Sequence, residues 1–376
     1  MAKYSIIIPF HSGKNYLSAC LKSLIQTTPS DVEIIIVMNN SKKELLETID
    51  IESINHCRCR IKIVEKDLMY PKAMNVGAEI ASGKFLIFSD ADTYYTHGWF
   101  EALSLYFLAN ENVGLVSSKL LDPKDSTIID FGIGFTKYNA PHPFKGRFYN
   151  FKLAEESIEV QAACTANSMV SRNTFMNIGG FNEELPHSYS DIDLCMRLKE
   201  NGLKTHCVHN SIVFHQGNST NSSGMSDALK ADTKGRFMAL NAHKIETDME
   251  NYYKKAITYF AQSANKCANS FFLIDFTTIA DKQWHYNLFS DLMGIELIDV
   301  YNCPCQQRDQ NCISLYQVMD DNIRRLRYPL LFFVDTFRAL ENNDIWYYLR
   351  DVGADLIIDR NANILRFSEL APQVRL

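Results

Sequence analysis

Short apolar runs alternate with stretches of helical spacing along the first hundred residues. Tyr4 to Pro9 is a continuous apolar run closed by Pro, as expected of a strand buried on both faces. Leu17, Cys20, Leu21, Leu24 and Ile25 then recur at helical intervals. Val32 to Val37 predicts a second buried strand that stops at Asn39, Asn40 and Ser41, and Ile61 to Val64 predicts a third. Lys72 to Ser82 reads as a helix with Gly83 as its stop. Phe85 to Phe88 runs as a strand straight into Ser89, Asp90, Ala91 and Asp92. This alternation implies a mostly parallel α/β sheet with helices on both faces, whose ligands bind beyond the carboxyl ends of the strands.

The pattern loosens from Leu121 to about Glu159 and recovers as a Gly179-Gly180-Phe181 turn and a helix from Asp191 to about Asn201, closed by Gly202. Asn218 to Ser226 is rich in Ser, Asn and Gly, which predicts a mobile loop, and polar helix-prone sequence fills 227–265. From Phe271 the alternation restarts: strands at Phe271 to Phe276, Glu296 to Tyr301, Leu330 to Val334 and Leu356 to Ile358, helices between them (Ser314 to Leu326 among them), and Ile345 to Val352 continuing it. The expected domains are therefore 1–245, a helical connector 246–268, and a small α/β domain 269–376.

Bulk properties remove several alternatives. A chain of 376 residues exceeds the usual single core. A net charge of −6 gives no electrostatic footprint for nucleic acid. No run approaches the ~20 apolar residues of a membrane span, and Met1 to Phe10 lacks the form of a signal peptide. The expectation is a cytoplasmic protein, at most peripheral at the inner face of the membrane, with ten cysteines kept as thiols. Cys303, Cys305 and Cys312 lack the paired spacing of a zinc site.

Three groups of residues carry chemistry. Asp90 and Asp92 put two carboxylates one residue apart at a strand end, and a divalent cation relieves their repulsion; oxygen ligands suit Mg²⁺ or Mn²⁺. Ser190 to Leu194 opens an amphipathic helix. Local spacing makes Ser190 an N-cap and Asp193 its capping-box acid, while the functional alternative makes Asp191 a general base. His215 ends the apolar stretch Ile212 to Phe214, either as a structural histidine or as the imidazole that completes a metal site with Asp92.

Taken together and in order, these segments resemble family-2 glycosyltransferases. Ser5 to Pro9 resembles the family's opening strand, and Leu17 to Thr27 and Glu33 to Ser41 its next helix and strand. Lys72 to Asp92 (KAMNVGAEIASGKFLIFSDAD) resembles its Asn-x-Gly helix and DxD strand. Gly179 to Gly202 (GGFNEELPHSYSDIDLCMRLKENG) is similar to its acceptor-side turn and base-bearing helix, and His215 stands where a metal-binding His follows. The match covers about residues 1–245. It implies a GT-A fold and an inverting transfer from a nucleotide-sugar, a UDP-sugar, to a hydroxyl on a glycan, lipid-linked glycan or peptide acceptor, in cell-surface polysaccharide or glycoconjugate synthesis. The sugar would be a hexose or an N-acetylhexosamine.

By the same resemblance Asp92 and His215 hold Mn²⁺ or Mg²⁺, and Asp191 is the catalytic base. Pro9, Asn39, Lys72, Asn75, Asp90 and Ala91 line the donor. Two departures stand out. Met38-Asn39 stands where the family carries Asp-Asp or Asp-Asn to read the nucleobase, leaving an amide that both donates and accepts, and Ser190 replaces the Glu before the catalytic Asp. The alternatives are a sugar-nucleotide nucleotidyltransferase, for which Ser12-Gly13-Lys14 is too short a phosphate loop, and a non-catalytic glycan- or nucleotide-binding assembly module. The C-terminal domain, rich in Trp and Tyr (Trp284, Tyr286, Trp346, Tyr347, Tyr348) and with Asp275, Asp299 and Asp335 near its strand ends, is expected to dock the acceptor or make a homo-oligomer.

Overall fold

The computed structural model describes residues 3–11, 14–39, 59–64, 68–136, 140–186, 188–217, 227–263, 269–302, 329–337 and 355–366. Asn40, Ser41, Ser12 and Gly13, the loop 218–226, the cysteines at 303, 305 and 312, the helix expected at 314–326, the segment 345–352 and the aromatics Trp346, Tyr347 and Tyr348 lie outside those residues. Two compact units are present, 1–133 with 147–245, and 134–146 with 246–376.

The first unit is built on a ten-stranded sheet. The parallel strands β1 (Tyr4–Phe10), β2 (Glu33–Asn39), β3 (Cys59–Val64) and β4 (Phe85–Ser89) stand in the order β3-β2-β1-β4. Beyond β4 come β9 (Asn167–Ser171), β6 (Val113–Leu121), β10 (Lys204–His215) and β5 (Thr93–Tyr95), with β9 antiparallel to both of its neighbours. The short β7 (Ile128–Asp130) pairs with β6, and β8 (Ile158–Val160) with β10. Helices α1 (Lys14–Thr27), α2 (Met69–Ile80), α3 (Trp99–Ala109), α4 (Arg172–Asn177), α5 (Ser190–Glu200) and α6 (Asp227–Asn241) belong to this unit. Ile6, Ile8, Ile34 and Ile36 from β1 and β2 are fully or almost fully buried, along with Leu17, Leu21 and Leu24 of α1. Burial on both faces of the sheet is what the unbroken apolar runs predict.

Two local expectations are corrected. Gly83 does not stop α2; that helix ends at an extended Ala81. The space at Gly83 is the reason for glycine, since a Cβ there would lie 2.7 Å from the Ser5 backbone nitrogen. Ser190 is not an N-cap either. The capping position belongs to Tyr189, held at φ 68° with no side-chain cap, and Asp193 instead pairs with Arg197 at 2.8 Å.

The second unit carries a five-stranded sheet, β12 (Glu296–Asn302), β11 (Ser270–Asp275), β13 (Leu330–Val334), β14 (Leu356–Asp359) and β15 (Ile364–Arg366), parallel except for β15. Helices α7 (Met249–Ser263) and α8 (Lys282–Met293) flank it. The division differs from cuts at 245 and 268 in two respects. Residues 134–146 join this unit, with the Phe144 ring buried against Tyr252 at 5.9 Å. Moreover α7 is core rather than connector, burying Tyr252, Tyr253, Ala256 and Phe260. Tyr286 is buried here too, its hydroxyl donating to Asp275, so this aromatic fills its own unit's core.

Candidate active site

The site is assembled at the carboxyl end of β4. Leaving the sheet, the chain is pinned at Asp90, whose backbone N–H donates to the Ala166 carbonyl at 2.9 Å and whose carbonyl accepts from Thr93 Oγ1 at 2.8 Å. Thr93 in turn starts β5, which pairs antiparallel with the end of β10 so that Thr93 faces His215 in register. The Gln216 N–H closes the arrangement on the Asp92 carbonyl at 3.1 Å. Strand pairing therefore places the histidine beside the two acids, although 123 positions separate it from Asp92.

His215 Nε2 lies 3.2 Å from Asp92 Oδ1 and 3.4 Å from Asp90 Oδ2. One ligand atom from each of Asp90, Asp92 and His215 falls within 4.8 Å of the others. Burial alone would depress the imidazole, but hydrogen bonds to Asp90 and then Asp92, with their charges, raise its pKa to about 10. Without an ion, the protonated ring supplies the positive charge that the buried Asp92 and half-buried Asp90 demand; a metal bound there would take its place and the ring's proton would leave. Among the described residues Asp90 Oδ1 is buried with no hydrogen-bond partner, a cost that ligation would remove. Two carboxylates and one imidazole, with an orphaned oxygen among them, fit a hard to borderline divalent ion.

Asp191 sits in the first turn of α5, half-buried, its Oδ1 accepting from the Ile192 N–H at 2.8 Å. Tyr70 and Cys164 lie within electrostatic reach of both Asp191 and Asp90. Burial, then the charge of Asp90, holds the Tyr70 phenol well above its ordinary value, with Asp191 adding in the same direction. Cys164 is raised by burial, then by Asp130, Asp191 and Asp90, so it is no thiolate nucleophile. Both groups thus feel the charge of Asp90 and of Asp191.

The other expected donor residues are disposed differently. Asn39, buried at the end of β2, accepts from the Leu68 N–H at 2.9 Å and so shapes the entry to α2. Asn75 clamps the glycine turn: its amide donates to the Phe181 carbonyl at 2.9 Å and accepts from the Phe181 N–H at 2.8 Å. A Cβ on Gly180 would meet Asn75 Oδ1 at 2.6 Å, and the backbone there has φ 70°. Lys72 donates to Glu183 at 2.9 Å. Pro9 lies in β1 and Ala91 between the acids, packed against the core. Glu183, Tyr70 and Tyr189 escaped the sequence reading. Glu183 meets Lys72 across 111 residues, a pairing no local pattern announces.

Residues 5–179 match the family model described as Glycosyl transferase family 2. The chain carries a family 2 glycosyltransferase domain. Among relatives, the O-antigen biosynthesis protein RfbC of Myxococcus xanthus is 29% identical over 226 residues, 57% of this chain and 17% of that protein. An uncharacterized glycosyltransferase of Haemophilus influenzae is 23% identical over 295 residues, 74% of this chain and 92% of that protein. Against three of its relatives the chain spans 17%, 36% and 23% of their lengths. In fold the chain is similar to a crystal structure of GalNAc-T7 with UDP, GalNAc and Mn²⁺. The TM-score is 0.53 at 16% identity, covering 79% of this chain and 55% of that one. This likeness shows a GT-A glycosyltransferase fold. Among the described residues no helix is long and apolar enough to cross a membrane.

Proposed function

We propose that this chain is an inverting, divalent-metal-dependent glycosyltransferase that moves a hexosyl or N-acetylhexosaminyl group from a UDP-sugar to a hydroxyl acceptor. The reading extends to cell-surface polysaccharide or glycoconjugate synthesis on the cytoplasmic side of the membrane. The observation that carries it is the Asp90–Asp92–His215 cluster with its partnerless carboxylate oxygen. Asp92 and His215 would hold Mn²⁺ or Mg²⁺, with Asp90 beside them. Bound there, the ion supplies positive charge for the diphosphate leaving group. The name of RfbC, an O-antigen biosynthesis protein, supports the product class, and the UDP, GalNAc and Mn²⁺ in the GalNAc-T7 structure support the donor and the metal.

The chain's own residues do the rest. Asp191 accepts the proton of the acceptor hydroxyl as its oxygen bonds to the anomeric carbon and the bond to the diphosphate breaks. The Asn75 clamp on Phe181 fixes the Gly179-Gly180 turn, and the strained Tyr189 sets the direction in which α5 leaves it. We assign the second unit to acceptor docking or self-association. The test is a donor screen across UDP-, GDP- and TDP-sugars, read as hydrolysis and transfer. EDTA should abolish turnover, and Mn²⁺ should restore it at least as well as Mg²⁺, since imidazole is a poor Mg²⁺ ligand. Full activity after exhaustive metal removal would sink the assignment.

A further inference from the structure

The second unit has a cavity of its own, of about 390 Å³, lined by residues that include Thr136, His142, Lys145, His285, Thr336 and Arg360. Its volume lies within the range of small-molecule sites. It opens where the parallel strands end: Thr336 follows β13, Arg360 and Asn361 follow β14, and Ile279 lies in the loop after β11. Open α/β sheets bind ligands at that edge.

The walls are held by a connected set of hydrogen bonds. Thr278 donates from both its backbone N–H (3.2 Å) and its hydroxyl (2.9 Å) to Asp335 Oδ2, tying the loop after β11 to the loop after β13. Asp359 Oδ1 accepts from the N–H groups of Asn361 and Asn363 at 2.9 and 3.0 Å, making a tight turn after β14. That turn grips 140–146: Asn363 Nδ2 donates to the Lys145 carbonyl at 2.9 Å, and the Phe144 N–H to the Asn361 carbonyl at 3.0 Å. The pocket is therefore pre-formed, which lowers the entropic cost of binding.

Its chemistry is one-sided. Among the lining residues Lys145 and Arg360 are cationic, His142 and His285 are imidazoles, Thr136, Thr336 and Asn361 offer neutral polar groups, and no carboxylate is present. This stands out in a chain of net charge −6. Asp335, which is not among the lining residues, reaches one terminal nitrogen of Arg360 at 3.6 Å and so braces the guanidinium. His285 is buried, and burial, the largest influence, lowers its pKa. Its Nδ1 is 2.8 Å from the Asp281 carbonyl, so in the neutral ring Nδ1–H donates there and the other nitrogen is an acceptor. Ala140, Pro141 and Ile279 add an apolar wall. Cations and neutral donors beside an apolar wall suit a small molecule with an anionic head and a less polar body.

We propose that this cavity is a second ligand site, separate from the Asp90–Asp92–His215 cluster, that binds a small organic phosphate through Lys145 and Arg360. The phosphate head seats on the two cations, and the body lies along Ile279 and Pro141. The test is calorimetric titration of the full chain with glucose 1-phosphate, inorganic phosphate and glucuronate, in the presence of EDTA. Saturable binding of glucose 1-phosphate is expected, weakened at least about tenfold in the K145Q/R360Q double variant, the scale of losing charge-assisted hydrogen bonds. Binding should be unchanged in Asp92→Asn. Both substituted side chains are exposed, so folding should survive, and a thermal melt checks it. A second variant, Ile279→Trp, should fill the apolar wall and weaken glucose 1-phosphate more than inorganic phosphate. Any of three results would overturn the proposal: no saturable binding, binding that survives the double variant or fails in Asp92→Asn, or capture of glucuronate in place of the phosphates.

Discussion

Asp92 and Asp191 are both acids at the start of a new backbone direction, yet their surroundings separate their work. Asp92 is buried and sits 3.2 Å from His215 Nε2, in a cluster that asks for a cation. Asp191 is only half-buried in the first turn of α5, its Oδ1 accepting from the Ile192 N–H, which leaves the carboxylate open to an acceptor hydroxyl. Replacing Asp191 by Asn should therefore lower turnover by roughly 10²-fold or more, the scale of losing a general base, with donor affinity nearly unchanged. Asp92→Asn should instead weaken donor affinity and the response to Mn²⁺. Steady-state kinetics beside donor-binding calorimetry separate the two effects. A loss of donor affinity with turnover spared in Asp191→Asn would exchange the two roles. A fall in thermal stability alone would mean that the carboxylate merely supports the helix.

At the scale of elements, what was legible was whatever a periodic pattern encodes. The buried strands β1, β2 and β4 and helix α1 appear where continuous and helically spaced apolar residues place them. The ordered motifs also brought Asp90, Asp92 and His215 forward as candidates, and strand pairing sets these three side by side. Hydrogen bonds between distant elements were not legible, because they depend on how the sheet stacks and not on neighbouring residues. Asn75 on Phe181 is one example; Glu33 is another. It lies at the start of β2, accepts from Ser5 of β1 and from the Ser82 N–H just beyond α2 at 2.9 Å, and pairs with Arg60 of β3. Burial alone would raise its pKa, but the bonds from Ser5 and Ser82 and the Arg60 charge outweigh that and hold it below its ordinary value. A depressed carboxylate contributes stability that is present above its unfolded pKa of about 4.3 and is lost as pH falls through the folded value. Glu33→Gln should thus cost roughly 1 to 3 kcal/mol near neutrality, and the gap to wild type should narrow below about pH 4. Denaturant melts from pH 3 to 7 read both features. A constant gap across that range would mean that Glu33 acts through shape and not charge.

For the whole molecule, the decisive feature is that the second unit is discontinuous in sequence. Residues 134–146 leave the family 2 domain and become part of the other unit's core, with Phe144 buried and the Phe135 N–H donating to Asp248 at 2.6 Å. A cut near 268, the boundary that the sequence suggests, would strip the sheet from α7. Tyr252, Tyr253, Ala256 and Phe260 would then be exposed along one helix, with Phe144 beside them. Contiguous apolar surface of that kind drives aggregation, so the 1–268 fragment should be poorly soluble. A chain ending at 245, with 134–146 replaced by a Gly/Ser linker, keeps the whole ten-stranded sheet and all three cluster residues. It should stay soluble and retain metal-dependent donor hydrolysis. Transfer to the true acceptor, or oligomer mass, should fall if the second unit docks the acceptor or a second copy. Size-exclusion chromatography with light scattering, run beside donor hydrolysis on both fragments, tests this division. A soluble 1–268 fragment with a cooperative melt would show that α7 does not depend on the sheet it flanks. Loss of donor binding in a folded linker variant would show instead that residues 134–146 or the second unit help build the donor site, since the sheet and its ligands would still be present.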